Sequence, residues 1–190
     1  MENSYLQQAR LVVEVLPFVA QEEVFALKGG TAINLFECNL PRLSVDIDLT
    51  YLPVSDRAAA IAEINAALER ISTALNANGI AARLSGHEVS RKIMCHKDDT
   101  TIKIEPNFIL RGTAFPVRRL EVSPAAEDLL GYCRINVLSR QELYGGKFCA
   151  ALDRQHPRDL FAKKRKGTIK CCQCENVASD QFQFPMKEAA

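Results

Sequence analysis

Two aspartates one residue apart, Asp46 and Asp48, interrupt an aliphatic alternation of Val45, Ile47 and Leu49. On a β-strand the side-chain period is two, so both carboxylates project from one face and the three aliphatics from the other. Like charges held that close are costly unless a cation is shared between them. Oxygen-only donors in this arrangement suit Mg²⁺ or Mn²⁺. Glu105, in the later run Ile102-Lys103-Ile104-Glu105, offers a third carboxylate from a second strand. Three such groups could hold two divalent cations on a nucleoside triphosphate. The cations would orient the α-phosphate, activate an attacking hydroxyl and neutralise the pyrophosphate leaving group. The competing reading is plainer: a solvated acidic face of an edge strand and a surface glutamate.

Ahead of the aspartates lies Lys28-Gly29-Gly30-Thr31. Glycines let a backbone approach a phosphate closely, and a helix starting there aims free N–H groups at it. Thr31 adds a hydroxyl donor, and Lys28 could meet phosphate or water. This is not a P-loop, because the G-x-x-x-x-G-K-[ST] spacing is absent. Arg42 and Ser44 lie just before the aspartates, placed to bind phosphate or brace the carboxylates. Lys147 follows Gly145 and Gly146 in a helical stretch, where an ammonium could reach a phosphate. Arg154 and Arg158 could grip phosphate bidentately, with Asp159 beside them, though spacing alone favours a solvated helix face for the arginines.

These residues need elements to position them. Leu6, Ala9, Val13 and Leu16 recur at helical spacing over 4–16, and Pro17 limits that helix. A short strand over 24–27 ends in the glycines, and one or two helical turns follow over 31–36. The Asp-x-Asp strand spans 44–51. Ile61, Ile64, Leu68, Ile71 and Leu75 mark a helix over 56–78, stopped at Asn78-Gly79. Three strands are predicted over 81–85, 89–95 and 101–108. Ser139-x-x-Glu142 is a capping box that opens a helix through about Leu152. Two glycines inside it should cost about 1 kcal/mol each, which suggests that something packs or binds against the backbone there. Pro157 begins one further helix. This order of helices and strands is an α+β or α/β mixture around a small central sheet.

The bulk properties are permissive. A chain of 190 residues, 47% hydrophobic and 25% charged, can build a real core. A net charge of +1 excludes a globally basic nucleic-acid binder while allowing a local patch. No uninterrupted apolar stretch approaches about eighteen residues, so no membrane helix is expected. No secretory signal is visible, and seven cysteines then read as reduced thiols of a cytoplasmic protein. Cys171, Cys172 and Cys174 lack the C-x-x-C spacing of a zinc site. His87, His96 and His156 share no ligand spacing, which favours surface or loop roles. After Phe161 the pattern changes: Lys163–Lys166 is a basic run, and no sustained periodicity follows it.

Taken together, K-G-G-T-A at 28–32, R-L-S-V-D-I-D-L at 42–49, I-K-I-E at 102–105 and K-F-C-A-A-L-D-R-Q-H-P-R-D-L-F at 147–161 resemble the nucleotidyltransferase toxins of the AbiEii/AbiGii abortive-infection family. The first two motifs are shared with the wider polymerase-β-like nucleotidyltransferases, and the Lys147 motif narrows the likeness. The resemblance implies a nucleotidyltransferase fold, a small mixed sheet flanked by helices. It implies phosphate binding by Gly30 and Thr31, Mg²⁺ on Asp46 and Asp48, Glu105 as third carboxylate, Lys147 on the triphosphate and Asp159 in the last active-site motif. It further implies a toxin with a separately encoded antitoxin, moving a nucleotide from NTP to RNA, notably a tRNA end. The expected organisation is a nucleotidyltransferase core over 1–110, a helical part over 111–161, and an atypical tail over 162–190. That tail reads as a disordered or frameshifted replacement for a longer helical region. Two alternatives remain open at this point. One is transfer to a small molecule, as in antibiotic modification. The other is an inactive remnant that binds only nucleotide or partner.

Overall fold

The computed structural model describes residues 4–154, with side chains through residue 150. Expectations that rest on Arg154, His156, Pro157, Arg158, Asp159 and the three late cysteines lie outside the described side chains. Among the described residues seven strands form one mixed sheet. In chain order they are β1 Phe25–Lys28, β2 Asp46–Tyr51, β3 Ala81–Ser85, β4 Lys92–Lys97, β5 Thr100–Arg111, β6 Arg118–Glu121 and β7 Arg134–Val137. Across the sheet the order is β3-β4-β5-β2-β1-β7-β6. Strand β2 sits at the centre, antiparallel to β1 and parallel to β5. That makes the mixed α+β architecture expected from the sequence, with a wider sheet than anticipated.

Among the described residues five α-helices accompany it: α1 Ser4–Val19, α2 Gly29–Ala32, α3 Arg57–Ala77, α4 Pro124–Leu130 and α5 Arg140–Arg154. Helices α1 and α3 touch each other and lie on the sheet. Leu11, Val12, Val15 and Leu16 of α1 and Ile64, Leu68, Ile71 and Leu75 of α3 meet Ile47, Leu49, Ile93, Ile102 and Ile104 in one core. Asp56 caps α3, accepting from the backbone N–H groups of Ala58 and Ala59. At the start of α5 the Ser139 hydroxyl accepts from the Glu142 backbone N–H, one half of the expected capping box, and donates to the Glu142 carboxylate.

Three features differ from the sequence expectation. Helix α1 runs through Pro17 to Val19. The proline forfeits one backbone bond, a loss of about 3 kcal/mol in a helix interior. Burial of Leu16 and Val19, 0% and 1% exposed, offsets it by keeping the last turn on the core. Strands β6 and β7 and helix α4 were not expected. They are four, four and seven residues long and carry little periodicity. Gly145 and Gly146 meet no close packing: a Cβ built at either finds nothing within 4 Å among the described residues.

Candidate active site

Strand β2 alternates as its sequence predicts. Ile47 and Leu49 are fully buried, while Asp46 is exposed and Asp48 half-buried on the opposite face. The register then builds a row of charge across the sheet. Lys28 of β1 lies opposite Asp48, and Asp48 lies opposite Glu105 of β5. Lys92 of β4 completes the row, with Nζ 3.5 Å from Glu105. In the neighbouring row Asp46 faces Lys103. The Lys103 ammonium is 2.7 Å from Glu105 and 3.8 Å from Asp46. Three carboxylates and three lysines thus share one face.

The titration of these groups follows from that row. Burial pushes the Asp48 carboxyl above the usual carboxylate range, Lys28 opposes the rise, and Asp46 and Glu105 add to it. Glu105 moves the other way, held ionised chiefly by its hydrogen bond from Lys103. Lys103 is raised in return by the same bond. Asp48 is therefore harder to ionise than a free carboxyl, chiefly because burial strips its hydration, and nearby cations offset this only in part.

The glycine turn is built onto this face. Gly29 has φ +76°, a left-handed conformation that favours glycine. A Cβ there would lie 2.6 Å from Oδ2 of Asp48, so the turn closes directly on the carboxylate. At Gly30 the nearest atoms to such a Cβ are Oγ of Ser44 at 3.2 Å, Nδ2 of Asn34 at 3.9 Å and Nη2 of Arg42 at 4.0 Å. Arg42 and Ser44 are thereby brought to the turn, as their sequence position suggested. Helix α2 continues into a π-helical segment, Ile33–Glu37, matching the one or two helical turns expected after the glycines.

Thr31 departs from expectation. It is 1% exposed, and its hydroxyl is engaged with Oγ of Ser44 at 2.9 Å and with the backbone carbonyl of Asp46. It ties the turn to the acidic strand and does not face solvent as a phosphate donor would. Asn34 makes a similar brace, donating 2.8 Å to the Gly30 carbonyl. The sequence did not single out Asn34, although its position four residues after Gly30 on a helical segment was a usable signal. Lys103 and Lys92 were also missed as site residues, because cross-strand register is needed to place them.

Lys147 lies half-buried on α5, and α5 packs against α2. The structure thus brings the helix that carries Lys147 to the glycine turn. His87 and His96 are exposed, and Cys38, Cys95 and Cys133 are buried free thiols. No described helix is long and apolar enough to cross a membrane.

A divalent cation is the group this donor set suits. Among the described residues no three ligating side chains already close on a single point. Glu105 leans towards Lys103 instead, and that ammonium occupies the space between it and Asp46. The chemistry still fits. The carboxylates offer hard oxygen donors on adjacent strands, and the raised Asp48 has charge that a cation would balance. Beside them an open groove of about 350 Å³ begins at Lys28, Asp48 and Glu105 and runs towards Val89–Lys92 and Pro106–Ile109.

Comparison with known proteins adds to this geometry. No curated protein matches the sequence. A crystal structure from H. pylori assigned as a nucleotidyltransferase shares 19% identity at a TM-score of 0.51, covering 85% of this chain and 67% of that one. The crystal structure of JHP933 from Helicobacter pylori shares 20% identity at a TM-score of 0.54, covering 85% and 65%. At such identity the likeness concerns the fold, and this chain spans about two thirds of either length. Residues 10–161 match the family model described as nucleotidyl transferase AbiEii toxin, Type IV TA system. Since that match takes in the glycine turn, both acidic strands and all of α5, the chain belongs to the AbiEii nucleotidyl transferase toxin family.

Proposed function

We propose that this protein is the toxin of a toxin–antitoxin pair and transfers a nucleotide from NTP to an RNA end, with tRNA as the foremost candidate. The observation that carries the reading is the closure of the Gly29–Gly30 turn directly onto Asp48, with Glu105 on the next strand. A phosphate chain and a reacting hydroxyl can both reach carboxylates arranged in this way.

In this reading the triphosphate lies along the turn. The backbone of Gly29 and Gly30, Arg42 and Ser44 bind and orient it, with Lys147 approaching on α5. The acceptor hydroxyl oxygen attacks the α-phosphorus, the bond to the β-phosphate oxygen breaks, and pyrophosphate leaves. The hydroxyl proton passes to Glu105 or to water, and Lys103 weakens Glu105 as a base by holding it ionised. Asp46, Asp48 and Glu105 would hold Mg²⁺ or Mn²⁺, which supplies charge neutralisation on the phosphates when bound. Asp159 belongs to the same assignment by resemblance and lies outside the described residues. A separately encoded antitoxin and a cytoplasmic setting complete the proposal.

The test is direct. The protein is incubated with each α-labelled NTP, Mg²⁺ and total bacterial RNA, beside Asp46→Ala/Asp48→Ala. The expected result is label in RNA with the wild type and none with the variant, together with loss of Mg²⁺-dependent NTP binding in a folded protein. Unchanged metal and NTP affinity in that variant would overturn the site assignment. Binding of NTP without label in any RNA would point to a small-molecule acceptor or to a protein that only binds nucleotide.

A further inference from the structure

The acidic face is balanced before any ligand arrives. Asp46, Asp48 and Glu105 are answered there by Lys28, Lys92 and Lys103. Lys103 bridges two of the carboxylates, its Nζ lying 2.7 Å from Oε2 of Glu105 and 3.8 Å from Oδ1 of Asp46. Lys92 meets the other Glu105 oxygen, Oε1, at 3.5 Å, from β4 and thus on the side away from Asp46. Register fixes the bridge. Lys103 stands opposite Asp46 across β5 and β2, and two residues before Glu105 on the same face of β5. The ammonium therefore sits where oxygens of two strands converge. Among the described residues no three ligating side chains close on a point instead.

This bridge can open without unpacking the core. The Lys103 side chain is 38% exposed, and Glu105 and Asp46 are 36% and 54% exposed. A flexible four-carbon stem carries the charge, so it can swing to a new partner while the backbone stays in place. What the free protein lacks is a partner to swing to. A divalent cation entering alone would have to displace the ammonium, and would leave three carboxylates facing more positive charge than they balance. A cation that arrives with a triphosphate brings negative charge of its own. It also brings phosphate oxygens that can receive the displaced ammonium. Three charges set against three thus work against the bare ion and in favour of the ion–nucleotide pair.

We propose that Lys103 is a specificity-determining residue of the cation site. It fills the place between Glu105 and Asp46 in the free protein, keeps bare divalent cations out, and yields to a cation delivered with a triphosphate. In that exchange the Lys103 ammonium passes from carboxylate to phosphate. Glu105 and Asp46 are thereby freed to act with Asp48 as oxygen donors. This inference rests on the nucleotidyl-transfer reading and deepens it by naming what controls entry to its cation site.

The experiment uses the full chain and Mn²⁺ as probe, with the free ion followed by its electron paramagnetic resonance signal and no nucleotide present. Mg²⁺–NTP affinity is measured in parallel by calorimetry with each common NTP. Wild type is compared with Lys103→Met, Lys103→Arg and Lys92→Met, each checked for folding by its melting transition. Lys103→Met is expected to bind bare Mn²⁺ about tenfold or more tighter than wild type, with no such gain for Mg²⁺–NTP. Lys103→Arg keeps the charge and should exclude the bare ion as wild type does. Lys92→Met removes one charge from the same carboxylate but leaves the bridge to Asp46 closed, so its gain should be clearly smaller. Bare-ion affinity unchanged in Lys103→Met would overturn the role of Lys103 and leave nucleotidyl transfer standing. A gain matched by Lys103→Arg, by Lys92→Met or by Mg²⁺–NTP would do the same. Wild type that binds Mg²⁺–NTP no better than Asp46→Ala/Asp48→Ala would overturn the site assignment itself, and the role of Lys103 with it.

Discussion

At the scale of single residues, Asp48 is the costly one. Its carboxyl is partly buried and stands between two other acidic groups. A group whose folded-state pKa is raised above its unfolded value loses stability as pH rises, since the unfolded chain releases its proton first. The loss is complete above the raised pKa and absent below the unfolded one. Asp48→Asn removes that charge, so the metal-free variant should melt higher than wild type at neutral pH. The gap should narrow as pH falls through the raised Asp48 pKa, and a melting series over pH checks it. A constant gap would mean that the charge is not its source. Glu105 contributes with the opposite sign, because its lowered pKa makes its Lys103 bond stabilising at neutral pH and lost in acid. Much of this was legible in sequence, since the alternation of Val45, Ile47 and Leu49 put both aspartates on one face. What could not be read was which cations answer them. Lys103 stands two residues from Glu105, but Lys92 arrives from a separate strand, and only register shows that it lies in the same row. The inward turn of Thr31 was equally hidden, because a threonine after glycines looks the same whether it braces or binds.

At the scale of elements, the glycines divide into two kinds. Gly29 is required by its left-handed backbone and by the Asp48 carboxylate 2.6 Å from any Cβ. Gly145 sits in the interior of α5 with open space around it among the described residues. Gly145→Ala should therefore stabilise the protein by up to about 1 kcal/mol, the helix-propensity difference. Gly29→Ala should destabilise it, by about 1–3 kcal/mol for a strained backbone, and should weaken Mg²⁺–NTP binding besides. Chemical denaturation of both variants checks the pair. A destabilised Gly145→Ala would show that something does lie against that backbone. The long elements were readable because periodicity accumulates over α3 and the hydrophobic faces of β4 and β5. The segment between Gly112 and Leu138 was not, because Arg118-Arg-Leu-Glu has no alternation and α4 is too short to show a face. Those elements exist because tertiary packing of Val122, Ala126, Ile135 and Val137 selects them.

At the scale of the molecule, one ion cluster joins parts that are far apart in sequence. The Glu37 side chain ends the segment that follows the glycine turn and is 2% exposed. It pairs with Arg118 of β6 and Arg140 at the start of α5. A single carboxylate thus ties the segment after the glycine turn to the far edge of the sheet and to the helix that carries Lys147. Glu37→Ala leaves two arginines without it, and should cost about 2–3 kcal/mol. Its Mg²⁺–NTP affinity should fall too, because α5 loses its tether to the turn. Denaturation together with an NTP titration checks this, and an affinity equal to wild type in a destabilised variant would reduce Glu37 to a structural role. The core holds a further consequence, in its sulfur. Cys95 of β4 and Cys133 just ahead of β7 lie sealed in the core, and burial pushes both thiols up to about 12. At neutral pH they are neither ionised nor reachable, so an alkylating reagent can attack them only when the strands part. The chain therefore carries two internal clocks, and the rate at which each sulfur is capped would time the opening of its own part of the sheet.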